Sequence, residues 1–209
     1  MPEAATSAPP QTSGCPIHDG FIVMGGEAQC PGVTSLRREK TTINPMPSSL
    51  KRYQQQGDYH AINFSCYHRL PYLNDDHARL IVEETLEQLR QRHQFSLFGY
   101  VIMPNHVHLL LTEPKLQSLA TMLSVLKKET SRLLKGERPQ FWQTRYYDFN
   151  VLTHEKLTEK LKYIHRNPVE RGLVEKPEDW DWSSYQHYLT GEPGRVEIES
   201  QYTWNRRET

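Results

Sequence analysis

Between residues 59 and 166 two hydrophobic periods alternate along the chain, and their order leaves little topological freedom. Tyr59–Tyr67 alternates, with Ile62, Phe64 and Cys66 on one side, as a strand does. Asp75 and Asp76 can cap a helix of about 17 residues that carries Leu80, Ile81, Leu86 and Leu89 at helical spacing. Phe95–Met103 is aromatic and β-branched, Pro104-Asn105 makes a tight turn, and His106–Thr112 returns as the second strand of a hairpin. Leu116–Leu134 is amphipathic, with Leu119, Met122, Leu123 and Leu126 inward. Arg145–Leu152 reads as a strand, and Thr153 caps a helix from His154 to Arg166 that Asn167-Pro168 should end. The order β-α-β-β-α-β plus one helix predicts an α+β, ferredoxin-like antiparallel sheet with two helices on one face.

The flanks differ from this centre. Residues 1–50 are rich in Pro, Gly, Ser and Thr without periodicity, and are expected to be a disordered N-terminal extension. Met24 and Met46 lie within it as alternative start positions. Residues 51–190 are expected to fold, with Trp180, Trp182 and Tyr185 packing as an appendage, and 191–209 to form a flexible tail. No run approaches the roughly 20 apolar residues that span a bilayer, and no signal pattern opens the chain, so a cytoplasmic location is expected. Three cysteines without a C-x-x-C pair argue against a disulfide framework and a cysteine zinc site. The formal net charge is zero, yet residues 36–172 carry 21 Lys and Arg against 14 Asp and Glu, a net +7. A basic centre between acidic ends suits a polyanionic ligand.

Within that centre, Met103-Pro104-Asn105-His106-Val107-His108 is the most informative stretch. Strand residues two apart share a face, so His106 and His108 present adjacent imidazoles while Val107, Leu109 and Leu111 face the core. Such a pair can ligate a metal if a third ligand comes from elsewhere; spacing alone is equally compatible with two surface histidines. Tyr163 and Asn167 are four apart, which on a helix sets a phenol beside an amide oxygen able to ligate Mg²⁺ or Mn²⁺. By itself, a tyrosine on an amphipathic helix is more often a packing residue than a nucleophile.

Taken together, these residues resemble a known family. His106-x-His108, Tyr163 with Asn167, Phe141-Trp142-Gln143-Thr144-Arg145-Tyr146-Tyr147-Asp148-Phe149, Asn167-Pro168-Val169 through Arg171-Gly172-Leu173-Val174, and Trp182-Ser183-Ser184-Tyr185 are similar, in order and spacing, to the HUH single-tyrosine transposase superfamily. The similarity is greatest to its REP-associated tyrosine transposase branch and covers about residues 49–190. It implies that the extra helix carries the catalytic tyrosine, Tyr163, and that His106, His108 and Asn167 hold the metal. Some relatives have Gln where this chain has Asn167.

The reaction so implied is cleavage and rejoining of hairpin-associated single-stranded DNA by transesterification through a 5′-phosphotyrosine. Mg²⁺ or Mn²⁺ is the expected cofactor, a palindromic hairpin the expected partner, and a monomer or homodimer the expected assembly, with no membrane involved. Lys127, Lys128 and Arg132 on the second helix, Arg145 beside Tyr146 and Tyr147, and Lys162 and Arg166 near the tyrosine are the DNA-contact candidates. Lys160 adds charge to the same helix, although Lys160, Lys162 and Arg166 are expected to point in directions other than that of Tyr163. Trp142, Trp180 and Trp182 are read as packing residues. The alternative to an enzyme is a domesticated protein that binds DNA hairpins without cutting them. A zinc hydrolase would need a third His, Cys or a His-Glu-x-x-His element at suitable spacing, which this sequence lacks.

Overall fold

A computed structural model of the chain describes residues 59–208. The N-terminal extension expected over residues 1–50 lies outside the described residues. The elements follow in the order β1 (Tyr59–Ser65), α1 (Asp76–His93), β2 (Leu97–Met103), β3 (His106–Thr112), α2 (Leu119–Leu134), β4 (Tyr147–Val151), α3 (His154–Glu170), α4 (Tyr185–Thr190) and α5 (Gln201–Glu208). Four strands form one antiparallel sheet in the order β2-β3-β1-β4, the ferredoxin-like arrangement that the sequence order predicts.

Strand alternation gives the sheet two different faces. Ile62, Phe64, Val107, Leu109 and Leu111 join Val82, Leu86 and Leu89 of α1 and Met122, Leu123 and Leu126 of α2 in one buried cluster. The opposite face carries three rows of aligned residues: Met103, His106 and Ser65; Val101, His108, Asn63 and Tyr147; Gly99, Leu110, Ala61 and Phe149. Over this second face lies α3, which buries Leu157, Leu161 and Ile164. The helix packs directly on Gly99, where an added Cβ would stand 2.4 Å from Leu161 Cδ1. Gly99→Val is therefore expected to push α3 away and cost about 1–3 kcal/mol, the usual range for overpacking, read as a lower urea midpoint at unchanged slope.

Two sequence expectations need correction here. Pro168 does not end α3, which continues to Glu170. A proline here forfeits the hydrogen bond of its own N–H and crowds the carbonyl four residues back, but the helix carries on past it for two residues. The true stop is Gly172 at φ +66, with Leu173 N–H donating to the Pro168 carbonyl at 3.0 Å and Gly172 N–H to that of Val169 at 2.9 Å. This is the Schellman termination that glycine favours, and it keeps Asn167 inside the helix. The second correction concerns the C-terminal tail expected to fray: Val196 and Ile198 are buried in the main core, and α5 follows them.

The motif Trp182-Ser183-Ser184-Tyr185 has a structural reason as well. Ile102 N–H donates to the Trp182 carbonyl and Ser184 N–H to that of Tyr100, so residues 182–184 pair with the outer edge of β2. Ser184 Oγ also accepts the Tyr100 N–H at 3.0 Å and lies 2.7 Å from His165 Nε2, tying α3 to the sheet. The tryptophans pack as expected: Trp142 donates to Thr130 Oγ1 at 2.9 Å, and Trp180 to the Ile102 carbonyl at 3.2 Å. Among the described residues no helix is long and apolar enough to cross a membrane.

Candidate active site

The turn and hairpin bring His106 and His108 side by side on the face that α3 covers. Their ring centroids are 4.9 Å apart, and the His108 ring is 5.5 Å from that of Tyr163. Asn167 Nδ2 stands 3.5 Å from His108 Nε2, while Asn167 Oδ1 is buried without a hydrogen-bond partner. The four residues named from sequence thus converge where β3 faces α3. Tyr163 is 44% exposed, so its phenol can be reached from solvent, whereas both histidines and Asn167 are buried.

Burial sets the charge state of the imidazoles. Loss of water, reinforced by the positive charges of Arg171 and Arg69 and partly offset by the Asn167 side chain, lowers the pKa of His106 to about 4. The same loss, with repulsion from His106, Arg171 and Lys160, takes that of His108 down to about 3. Both are therefore neutral at physiological pH and keep a lone pair for a ligand. A third imidazole, the fully buried His165, is lowered to about 3 by desolvation alone.

These depressed values have a consequence for stability. An unfolded chain takes up imidazole protons near the ordinary pKa of 6.5, while the native state refuses them until about 4 or 3. Stability is then complete above pH 6.5 and declines as pH falls through that window. The urea midpoint of the metal-free protein is accordingly expected to be clearly lower in mildly acidic buffer than at neutrality.

Sequence reasoning read Asn105 only as a turn residue, but its side chain orients the site. His106 Nδ1 donates to Asn105 Oδ1 at 2.6 Å, and Asn105 Nδ2 donates to the Arg69 carbonyl at 3.2 Å. With the proton held on Nδ1, Nε2 is the nitrogen left free to coordinate. His68 and Arg69 adopt φ of +51 and +57, a left-handed turn uncommon for such residues, and Asn105 braces it. Asn105→Ala is expected to weaken Mn²⁺ binding about 10- to 100-fold with little change in melting temperature, measurable by calorimetry.

The DNA-contact candidates separate in space. Lys127 donates to the carbonyls of Gln143 and Thr144 at 3.0 and 3.3 Å and lies over the Phe64 and Tyr146 rings. It braces the segment entering β4. Lys128 and Arg132 are exposed on α2, on the side of the sheet away from the histidines. Arg145 is exposed just before β4; Tyr146 packs on the core, whereas Tyr147 turns to the histidine face. Neither Lys162 nor Arg166 lines the cleft beside Tyr163. Lys160 does, one turn before Tyr163, contrary to the expected divergence of its direction.

A ferredoxin-like sheet with a His-x-His pair facing a tyrosine-bearing helix is the architecture of the single-tyrosine HUH class. Residues 53–167 match the family described as "Transposase IS200 like", and the chain belongs to that family. It is 29% identical over 119 residues to a protein of Haemophilus influenzae named for the REP-associated tyrosine transposases, covering 51% of this chain and 68% of that one. The REP-associated tyrosine transposase of Escherichia coli is 22% identical over 139 residues, covering 66% of this chain and 82% of the relative. A solved REP-associated tyrosine transposase, bound to a REP hairpin, superposes with a TM-score of 0.61 at 18% identity, covering 74% of this chain and 93% of that one. That likeness establishes the shared fold.

Proposed function

We propose that the chain is a metal-dependent endonuclease and strand-transferase acting on hairpin-associated single-stranded DNA. The observation that carries this reading is the buried, unpartnered Oδ1 of Asn167 beside two imidazoles held neutral, with Tyr163 exposed next to them. An unpaired buried oxygen is costly unless something fills the gap, and two nitrogens with one amide oxygen suit a divalent cation.

His106, His108 and Asn167 would hold the ion, which when bound supplies Lewis-acid polarisation of the scissile phosphate. Among the described residues no third His, Cys, Asp or Glu joins the cluster. The three ligands are neutral, so charge balance favours Mg²⁺ or Mn²⁺ arriving with the phosphodiester, and metal and DNA binding should reinforce one another. Arg69, Arg171 and Lys160, whose charges are felt at the histidines, favour the anionic DNA.

The Tyr163 oxygen attacks phosphorus, a P–O bond to tyrosine forms, and the bond to the 3′-oxygen breaks. That oxygen leaves as a 3′-hydroxyl with the proton the phenol gives up. Because one phosphodiester replaces another, the step is reversible and a second 3′-hydroxyl can rejoin the strand without ATP. A palindromic hairpin is the proposed partner, in line with the hairpin bound to the solved relative.

The test is to incubate the full chain with Mg²⁺ or Mn²⁺ and end-labelled DNA hairpins from its genomic neighbourhood, then run denaturing gels. A label that migrates with the protein, and vanishes with EDTA, is the expected result. Tight binding with no adduct for any hairpin would leave only the non-catalytic binder.

A further inference from the structure

Beside the tyrosine, half of the α3 face of the sheet is left open. The helix lies mainly over β2, so on β1 and β4 the side chains of Ala61, Asn63 and Phe149 remain half-exposed and Tyr147 is 43% exposed. Asn63 sits between its direct neighbours His108 on β3 and Tyr147 on β4. These three and Ala61 line, with Lys160 and Tyr163, a cleft of about 180 Å³ that runs into the tyrosine site. Asn63 Oδ1 is buried yet has no hydrogen-bond partner, although its strand neighbours contain hydrogen-bonding groups. Tyr147 and Phe149, two apart on β4, present their rings on the same side, and Lys160 Nζ stands 4.8 Å above the Phe149 ring.

We propose that this ledge of Asn63, Tyr147, Phe149 and Lys160 is a platform for unpaired nucleotides of the substrate strand, with Asn63 reading the edge of one amine-bearing base. The inference rests on the single-stranded DNA reading above. The exposed Tyr147 ring offers a face on which a base can stack, while the Phe149 ring beneath Lys160 holds that lysine beside the strand. A lysine at the rim follows the phosphates, and the cleft's continuity with Tyr163 places the bound strand next to the bond to be cut. An unpaired amide oxygen requires a donor from its ligand, which the exocyclic amine of adenine or cytosine supplies; adenine can also accept from the amide nitrogen. Thymine has no such amine, and its one donor, the ring N3–H, is flanked by two carbonyl oxygens that would be pressed against the Asn63 oxygen. Duplex DNA, whose base faces are stacked internally, could not use the rings at all.

The experiment measures affinity without chemistry. Fluorescein-labelled dA8, dC8, dT8 and an abasic octamer are titrated in EDTA against the full chain carrying Tyr163→Phe, which cannot form an adduct. We expect dA8 and dC8 to bind several-fold more tightly than dT8, and the abasic strand most weakly. Adding Asn63→Leu should erase the preference over dT8. Adding Tyr147→Ala should weaken dA8 about tenfold, while Tyr147→Phe retains binding because the ring remains. Lys160→Met should weaken the base-bearing and abasic strands alike.

Equal binding of all four octamers, a preference that survives Asn63→Leu, or equal affinities for Tyr147→Ala and Tyr147→Phe would each overturn the platform. An adduct in the hairpin assay without octamer selectivity counts against the platform alone. Octamer selectivity without any adduct counts against the catalytic reading alone.

Discussion

Tyr163→Phe is expected to abolish the covalent protein–DNA product altogether, while the folded chain melts within about a degree of the unaltered one. The loss is complete because the phenolic oxygen is the atom that would bond to phosphorus, and phenylalanine has no replacement nucleophile. The fold tolerates the change because Tyr163 is 44% exposed and its ring, which packs edge-on against His108 with centroids 5.5 Å apart, is retained. Hairpin affinity in EDTA should also be retained. A product that persists in Tyr163→Phe would transfer the nucleophile's role, with the exposed Tyr147 on the same cleft first in line. Tyr163→Ser would test the same point with a shorter hydroxyl that does not reach as far.

The second large effect is expected at His108. His108→Ala should lower strand cleavage by at least about 100-fold at limiting Mn²⁺, with calorimetry showing the loss of metal binding, since the imidazole adjoins both His106 and Asn167. Excess Mn²⁺ should restore little, because with one nitrogen gone the remaining pair no longer encloses the ion. The same substitution should also blunt the acid sensitivity of the fold. Removing a buried imidazole whose pKa has been driven down to about 3 also removes one site at which the unfolded chain gains protons that the native one refuses. The variant's urea midpoint should therefore fall less steeply than that of the unaltered chain as pH drops below neutrality. Steep acid sensitivity in both proteins alike would mean that His108 is not the buried, neutral group described here.

Much of this architecture was legible from residue pattern. Strand alternation placed His106 and His108 on one face and Val107, Leu109 and Leu111 on the other, and those faces are the ones observed. The start of α3 at Thr153 followed from capping chemistry, and its side chain accepts the Lys156 N–H as a cap should. Where reading failed, a local rule met a tertiary one. Pro168 signalled an end, but the signal that governed was Gly172 four residues later, which alone among the local residues relieves a left-handed backbone. The tail was polar enough to suggest fraying, but two apolar side chains, Val196 and Ile198, suffice to anchor it once the core offers a place for them. The lysines of α2 looked equivalent along the helix; only the path of residues 143–144 distinguishes the buttress Lys127 from the exposed Lys128.

What the sequence by itself determined is the set of elements, their order and the side of each strand or helix on which a residue lies, because those follow from periods of 2 and 3.6 acting within a few residues. The family resemblance added the roles of His106, His108, Tyr163 and Asn167. Only the tertiary structure decided that α3 lies against the histidine side of the sheet, because that docking depends on the space left at Gly99 and on the His165–Ser184 link across the fold. From that docking come the loss of water that holds the imidazoles neutral and the unpartnered Asn167 oxygen. The open ledge of Asn63 and Tyr147 has the same origin, since it is the part of the sheet that the helix borders without covering. Desolvation and vacant hydrogen-bonding positions are properties of distant segments brought together, and no window of neighbouring residues contains them.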